Sequence, residues 1–285
     1  MTYTVRILAL LLGLVVASMS VYADVVERLP KWELAAGLAA ANFPDYPGSD
    51  QNQNLVLPYP SVTYRGSRIR AGRDGLRGML FKGNRWDLDV SAGGSLSVNS
   101  EDNRAREGMN DLGISLELGP SLRLKFIDQA DQKLQLRFNL RALLVADDFP
   151  VLAYEGWLLN PELRWRRHHG ERYILGGSLD FRYANRGYHD HFYGVASQFA
   201  SATRPEYQGQ RGYSSMGLNG FVTMKLDQNW RASVRLGYYD LHAVAFNDSP
   251  LFRKNSSAFF GLSISRVLWR SEATVGPARI DDITL

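Results

Sequence analysis

Apolar and polar residues alternate one by one along most of this chain. Between residues 111 and 126, leucine, isoleucine and phenylalanine hold even positions, whereas charged residues, serine and glycine hold odd ones. Residues 133–144, 173–183 and 230–238 repeat the pattern. Because a period of two fits a strand and not a helix, the pattern predicts an all-β protein.

The alternating runs are long for a soluble protein. Strands of soluble domains average about five or six residues, whereas a strand tilted across a bilayer needs about 9–11. Several runs begin or end in an aromatic residue, as at Trp86, Trp157, Tyr173 and Trp230. Such positions are typical of the aromatic girdles of outer-membrane barrels. We therefore predict a transmembrane antiparallel β-barrel rather than a soluble sandwich or a lipocalin-like barrel.

The alternating runs give about twelve strands. They cover residues 31–41, 54–65, 68–74, 76–82, 86–97, 111–126, 132–145, 154–167, 171–184, 213–226, 229–242 and 256–269. Treating 68–82 as one bulged strand would give eleven. Twelve is preferred because bacterial single-chain barrels have even strand numbers, short periplasmic turns and long outer loops. The long links are then all extracellular, at residues 42–53, 98–110, 146–153, 185–212 and 243–255.

The first residues have the three parts of a secretory signal peptide. A short basic segment precedes the apolar run 7–16, and Val21-Tyr22-Ala23 predicts cleavage before Asp24. A retained anchor helix is the alternative, but the run is shorter than the roughly 20 residues that span a bilayer. The expected organisation is a signal peptide (1–23), an outer-membrane barrel (24–269) and a periplasmic tail (270–285).

The amino-acid composition of the chain excludes some classes of function. The chain has no cysteine, so as an exported protein it depends on a hydrogen-bonded scaffold rather than on disulfides. The net charge is +4 and its basic residues are spread along the chain. Nucleic-acid binding would need a clustered basic patch, so we expect no nucleic-acid partner.

The polar face of the predicted strands would line the barrel interior with charges of both signs. It includes Glu117, Asp180, Arg137, Arg141, Arg164, Arg182 and Arg235. One interpretation is an aqueous channel whose excess of arginine favours anions. The other, which the even mixing of signs favours, is an interior cross-linked by ion pairs and largely closed to solutes.

The predicted outer loops hold the few candidates for chemistry. His189-Asp190-His191 could bind zinc or support a hydrolase, with His242 as the one further partner. Three adjacent loop residues cannot make a closed metal site alone, and Ser249 fits a turn better than a nucleophile. We therefore predict no catalytic, cofactor or metal site.

Residues 45–50, which read Asp45, Tyr46, Pro47, Gly48, Ser49 and Asp50, allow three interpretations. The two carboxylates could bind calcium weakly, or Tyr46 could be presented to a partner. The simplest is a compact turn, in which proline and glycine set the backbone and aspartate and serine bond to it. The charged segment 99–104 is expected to be a solvated surface loop that could contact lipopolysaccharide.

An ordered series of short motifs carries a family resemblance. It comprises Pro44 to Asp50, Pro58-Tyr59-Pro60, Phe192-Tyr193-Gly194-Val195 and Asp248-Ser249-Pro250. The series resembles the MipA/OmpV family of outer-membrane proteins over essentially the whole mature chain. The resemblance implies an outer-membrane barrel in contact with lipid and lipopolysaccharide. For the MltA-interacting member it implies a scaffold that links a murein hydrolase, a lytic transglycosylase, to a peptidoglycan synthase.

The same resemblance leaves the activity open, since other members are described as porin-like or adhesive. The leading hypothesis is a non-enzymatic scaffold. The alternatives are a small-solute channel or a surface adhesin, and then a surface hydrolase. One departure concerns the C-terminus: family members usually end at the aromatic residue of the last strand, whereas here residues 270–285 follow Trp269. That tail is either a periplasmic element or an incidental disordered segment.

Overall fold

Twelve antiparallel strands close into one barrel, which confirms the predicted fold. The computed structural model describes residues 28–72, 75–146 and 151–277, so the predicted signal peptide lies outside the described residues. The barrel strands are β2 (Trp32–Pro44), β3 (Asn52–Arg65), β4 (Ile69–Gly72), β5 (Gly75–Lys82), β6 (Trp86–Ser95), β7 (Ile114–Asp128), β8 (Gln132–Ala146), β9 (Ala153–His169), β10 (Tyr173–Ala184), β11 (Gly212–Lys225), β12 (Trp230–Asp240) and β13 (Ser256–Arg270). Each pairs with its chain neighbours, and β13 closes the barrel against β2.

The alternation in the sequence becomes two faces of opposite character. Leu218, Leu262 and Ile264 point outward and are 45%, 44% and 41% exposed. Asp89 and Thr223, on the inner face, are fully buried. A soluble barrel would bury its apolar face, so this arrangement is that of a barrel with lipid around it and polar side chains inside.

Aromatic residues mark both ends of the membrane-facing band. At the short-turn end, the rings of Trp32 and Tyr64 lie 4.2 Å apart, and the guanidinium of Arg266 lies 5.8 Å from the Trp230 ring. Arg266 is thus the cation at the rim of an otherwise apolar stripe, where it can reach polar headgroups. Trp157, at the long-loop end, stacks on a tyrosine of the next strand. The long-loop end is extracellular and the short-turn end periplasmic by the rule for this class.

The first hairpin is longer than the sequence predicts. β2 runs to Pro44 and β3 begins at Asn52, so the connecting loop is residues 45–51 rather than 42–53. Amide side chains hold the extension, because Asn42 donates to Asn54 (2.8 Å) across the ladder. Polar cross-strand pairs of this kind lie above the apolar band, where alternation of hydrophobicity gives no signal.

Two short strands outside the barrel were not predicted. β1 (Arg28–Pro30) pairs with β14 (Thr274–Pro277) in a two-stranded sheet. The Lys31 N–H donates to the Ala273 carbonyl (2.8 Å), so this sheet continues the β2–β13 seam beyond the periplasmic rim. We call it the terminal ribbon. The described part of the tail is therefore an ordered strand that pairs with the other end of the chain.

A helix was also missed in the longest outer loop. α1 (Arg186–Tyr193) begins at Asn185, whose side chain accepts the backbone N–H groups of Tyr188 (3.1 Å) and Trp157 (2.8 Å). The asparagine thus caps the helix and ties it to β9. Within the described ranges, no helix has the length and apolar character needed to cross a membrane.

Candidate functional site: the outer cap and the charged lumen

Loops from four of the barrel's hairpins meet in one apolar cluster across its outer end. We call these loops, residues 45–51, 96–113, 185–211 and 241–255, the outer cap. The buried members are Tyr46, Val98, Ala105, Leu112, Tyr193, Val195, Leu241, Val244, Phe246 and Leu251. Loops of a simple porin would leave the mouth open, whereas this cluster packs loop against loop over the lumen.

Tyr193, at the end of α1, is the centre of the cap. Its ring stacks on Phe246, with centroids 3.6 Å apart and planes 9° from parallel, and is 3% exposed. Its hydroxyl donates to the Pro47 carbonyl (2.8 Å), and its own carbonyl accepts from Ser249 Oγ (2.7 Å). Burial raises the pKa of the Tyr193 phenol well above its usual value, so the group remains a donor. Three loops are joined through this one residue.

The 45–50 segment is a turn locked against the last outer loop. Gly48 has a φ of +88°, a conformation that favours glycine. Its carbonyl accepts from the Arg253 and Lys254 N–H groups (2.8 and 2.9 Å), and its own N–H donates to Ser257 Oγ (2.8 Å). An added Cβ would lie 2.5 Å from the Phe252 ring. Both the backbone angle and the space therefore require glycine here.

Tyr46 does not face solvent. It is 2% exposed, and its hydroxyl donates to the Leu251 carbonyl (2.8 Å). Burial raises the pKa of Tyr46 to about 12. The interpretation in which Tyr46 is presented to a partner is therefore wrong: the ring is part of the cap's core.

The segment 99–104 is only partly the solvated loop that its composition indicated. Asn103 is fully buried, and its amide donates to Asp45 Oδ2 (2.5 Å) and Ser49 Oγ (3.2 Å). Arg104 is exposed and pairs with Asp50 (3.1 Å). These bonds use the polar side chains of the 45–50 segment to join two loops. Charge composition alone could not show this, because the partners lie about fifty residues apart.

Asp248, Pro250 and Gly194 occupy turns of the cap. Asp248 is exposed beside the buried Ser249, and Pro250 is half-buried. The N–H of Gly194 donates to the Asp190 carbonyl (2.8 Å) and ends α1. Three of the four motif segments of the sequence thus come together in one structure, although each is too short to predict that alone.

The His189-Asp190-His191 segment serves the packing of α1. His189 is fully buried; its Nδ1 bonds to the Gln210 carbonyl and its Nε2 to Ser214 Oγ (2.6 Å). Asp190 accepts the Gly209 N–H and pairs with Arg186 (3.3 Å). In the part of the chain that the structure describes, no three histidine, cysteine, aspartate or glutamate residues are grouped to hold a metal.

Ion pairs cross-link the interior below the cap. Three pairs join neighbouring strands, namely Arg123–Asp89, Lys125–Asp87 (2.7 Å) and Arg141–Glu117 (3.4 Å). Two more lie within a single strand, Arg164–Glu162 (2.9 Å) on β9 and Arg182–Asp180 (3.2 Å) on β10. Tyr188 of α1 donates to Glu117 (3.1 Å) and so connects the cap to this network. Arg137 lies opposite Glu162 in the β8–β9 register, and Arg235 lies 5.9 Å from the Phe221 ring centroid.

Glu33 lies at the periplasmic end of this ion-pair network, where β2 and β13 close the barrel. It pairs with Arg65 of β3, Arg231 of β12 (3.3 Å) and Arg270 of β13 (3.3 Å). The carboxylate is 6% exposed, so it shares its charge with three guanidinium groups away from water. One acid on β2 therefore ties together the strands on either side of the closure.

Comparison with known proteins agrees with this architecture. The family described as "MltA-interacting protein MipA" matches residues 36–268. Comparison with curated proteins returns no match. Among solved structures, the chain is similar to the NanC porin at 8% identity and a TM-score of 0.40, covering 81% of this chain and 98% of that one. The CymD monoaromatic hydrocarbon channel is similar at 13% identity and a TM-score of 0.33, covering 83% and 88%.

A third similar structure is an outer membrane channel from Pseudomonas putida F1, at 13% identity and a TM-score of 0.35. That alignment covers 87% of this chain and 100% of the other. These distant likenesses carry no statement about activity. The family match covers nearly all of the barrel, from β2 to the end of β13, and includes every motif that builds the cap. On that match, together with the closed twelve-stranded barrel, the chain belongs to the MltA-interacting protein MipA family and is an outer-membrane protein.

Proposed function

We propose that this protein is a non-enzymatic scaffold that holds a murein hydrolase of the MltA type, and with it a peptidoglycan synthase, at the inner face of the outer membrane. The family's name supports an MltA-type partner. The observation that carries the proposal is the terminal ribbon, which lies beyond the periplasmic rim and, among the described residues, is held by its own pairing and the strand seam.

The ribbon has the chemistry of a strand-addition site. Among the described residues, β1 pairs only with β14, so the outer edge of each strand presents backbone donors and acceptors. A partner can extend such a sheet by adding a strand, with affinity from main-chain hydrogen bonds. Lys31 lies at its base, which favours an acidic partner segment.

The outer cap supports the same assignment. A scaffold needs a stable platform and no open conduit, and the loops that would form a porin's mouth are instead packed together. The ion pairs below the cap likewise stiffen the interior. We assign the cap to sealing and stabilising the barrel, and the ribbon to the interaction.

A binding assay with purified components tests the proposal. The mature chain in detergent should retain a purified MltA-type lytic transglycosylase on beads, and a chain ending after Arg270 should not. Val275→Pro should abolish retention, because Val275 pairs with Leu29 and proline has no N–H to donate to that ladder. Val275→Thr keeps a β-branched residue and should bind normally.

The barrel's gel mobility shift on heating gives the folding control for each variant. Because the ribbon lies outside the barrel, we expect all three variants to retain the shift. Full retention of the transglycosylase by the folded, truncated chain would contradict the proposal.

A further inference from the structure

The barrel wall is incomplete on one side. β3 pairs with β2 from Asn52 to Tyr64, but with β4 only at Tyr64 and Arg65. On the far side of β4 and β5, β6 pairs with β5 only as far as Ser91. Among the described residues, the free edge of 52–61 and that of 92–95 therefore face each other without a strand between them.

The gap is bordered by protein on all sides, and we call it the window. Its lower border is the described part of β4 and β5, which have only 4 and 8 residues. Its upper border is the link between two cap loops, where Gln51 Nε2 donates to the Asp102 carbonyl (2.8 Å) and Arg104 pairs with Asp50 (3.1 Å). β3 and β6 form the sides. The opening thus faces the membrane rather than the cell surface.

Two prolines of β3 are compatible with a strand edge that remains unpaired. The Arg65 N–H donates to the Lys31 carbonyl (2.9 Å), on the β2 side. The ladder has no register shift, so even-numbered residues of β3 direct their backbone nitrogens toward the window. Pro58 and Pro60 are both even-numbered. Proline has no N–H, so neither leaves a donor unsatisfied at bilayer depth or offers one to an added strand.

Apolar side chains line the inner side of the window. Leu55, Leu57 and Tyr59 share the inward register of Thr63 and Arg65, which are buried in the lumen. On β7 and β8, by contrast, the inner face is dominated by charged and polar groups. A molecule that entered between β3 and β6 would therefore meet an apolar surface first.

The lumen behind the window contains a polar cavity of about 410 Å³ that reaches the rim at Gly75 and Ala92. A cavity of this size can hold a drug-sized molecule. Its charged lining residues are Arg141, Arg164, Arg166, Arg182, Arg235, Glu162 and Asp180. Five guanidinium groups face these two carboxylates and Glu117, the partner of Arg141, so the cavity favours an anion, and arginine binds carboxylate with paired hydrogen bonds.

We propose that this window admits amphipathic anions with an acyl chain, namely fatty-acid carboxylates, sideways from the outer leaflet into the arginine-lined cavity. The chain lies along Leu55, Leu57 and Tyr59, and the carboxylate reaches the guanidinium groups. The cap closes the direct route from outside, so the membrane is the source of the ligand. Binding at this site is independent of the terminal ribbon and of any periplasmic partner.

Fluorescence titration with cis-parinaric acid tests the proposal on the full mature barrel in detergent. Leu57→Trp enlarges an inward-facing side chain of the window and should weaken binding at least tenfold, as should Arg235→Gln. Ala232→Trp, on the lipid-facing register of β12, is the matched control and should bind as the parent does. A fatty alcohol of equal chain length should compete at least tenfold more weakly than the acid.

The absence of saturable binding to the parent would overturn the proposal, as would unchanged binding to a heat-modifiable Leu57→Trp barrel. A second measurement holds even if that variant fails to fold. The chain has no native cysteine, so Leu57→Cys and Ser263→Cys can each carry one fluorophore on the inner face. Nitroxide-labelled lipids should quench the label at 57 more strongly, because β3 borders the window and β13 does not; equal quenching would refute the opening.

Discussion

At the scale of single residues, the cap depends on Tyr193. The residue joins three loops through one stacked ring and two hydrogen bonds. Its neighbours in this core come from loops distant in sequence, so the packing forms only when the whole outer end has assembled. A change at this position should therefore loosen the cap without unfolding the barrel below it.

Tyr193→Phe removes one hydrogen bond to the Pro47 carbonyl and should cost about 1 kcal/mol of cap stability. Tyr193→Ala also removes the ring from the core and should cost about 3–5 kcal/mol, the range for large aromatic side chains. Rates of limited proteolysis at the outer loops measure this local opening. Tyr154→Phe, at a 60% exposed residue, is the control, and a protease-resistant Tyr193→Ala would contradict the role given to Tyr193.

His189 makes the cap sensitive to acid. A carbonyl only accepts, so Nδ1 donates to Gln210 and the neutral ring accepts from Ser214 through Nε2. Burial lowers the pKa of His189, whereas an opened loop restores the ordinary value of about 6.5. The open form then binds the proton more readily, so cap stability is complete above about pH 6.5 and falls as the pH decreases from there.

We expect faster proteolysis of the outer loops at pH 5 than at pH 7.5 in the parent, and little such change in His189→Gln. The ratio of parent to variant rates at each pH cancels the protease's own pH dependence. His242→Gln, at an exposed loop residue, should behave as the parent does. A ratio that does not vary with pH would refute this role for His189.

At the scale of elements, the strands were predictable and the packing among loops was not. Period two is imposed by the wall itself, since alternate residues of β7 or β8 must face lipid and lumen. The sequence therefore located nearly every strand to within a few residues. β1 and β14 were missed because they are short and have no lipid-facing side to impose a pattern.

The loop sequences have no periodic pattern comparable to the alternation of the strands. Residues 241–251 are unusually apolar for an extracellular loop, and this was the one available signal that a loop core exists. Even so, the partners of Phe246 come from other loops, and no single-chain period relates them. Asn103 shows the same limit: its buried bonds to Asp45 and Ser49 are invisible in a segment whose composition indicates solvent.

The closure seam offers a test at the element scale. Glu33→Ala leaves Arg65 and Arg231 without their shared carboxylate in a buried position. Breaking a buried ion pair from one side costs about 3–5 kcal/mol, so the barrel should unfold at clearly lower urea. The loss of the gel mobility shift, followed against urea concentration in detergent, measures this. Glu101→Ala, at an exposed cap residue, should leave the midpoint unchanged; equal midpoints for both variants would exclude a structural role for Glu33.

At the scale of the whole molecule, three regions with different roles follow one another along the barrel axis. The cap seals the outer end, an ion-paired lumen opens sideways through the window between β3 and β6, and the terminal ribbon lies on the periplasmic side. A chain built as a simple porin would need neither the buried core among its loops nor a structured seam at its ends. The central claim is therefore a sealed outer mouth.

Single-channel recording in planar lipid bilayers tests that claim most directly. The parent protein should insert without stable open steps, because the outer cap blocks the axial path. A variant with Tyr193→Ser and Phe246→Ser, which removes the stacked pair at the centre of the cap, should show frequent openings while keeping its heat-modifiable mobility. Stable open steps from the parent barrel would contradict the sealed mouth and restore the interpretation as an aqueous channel.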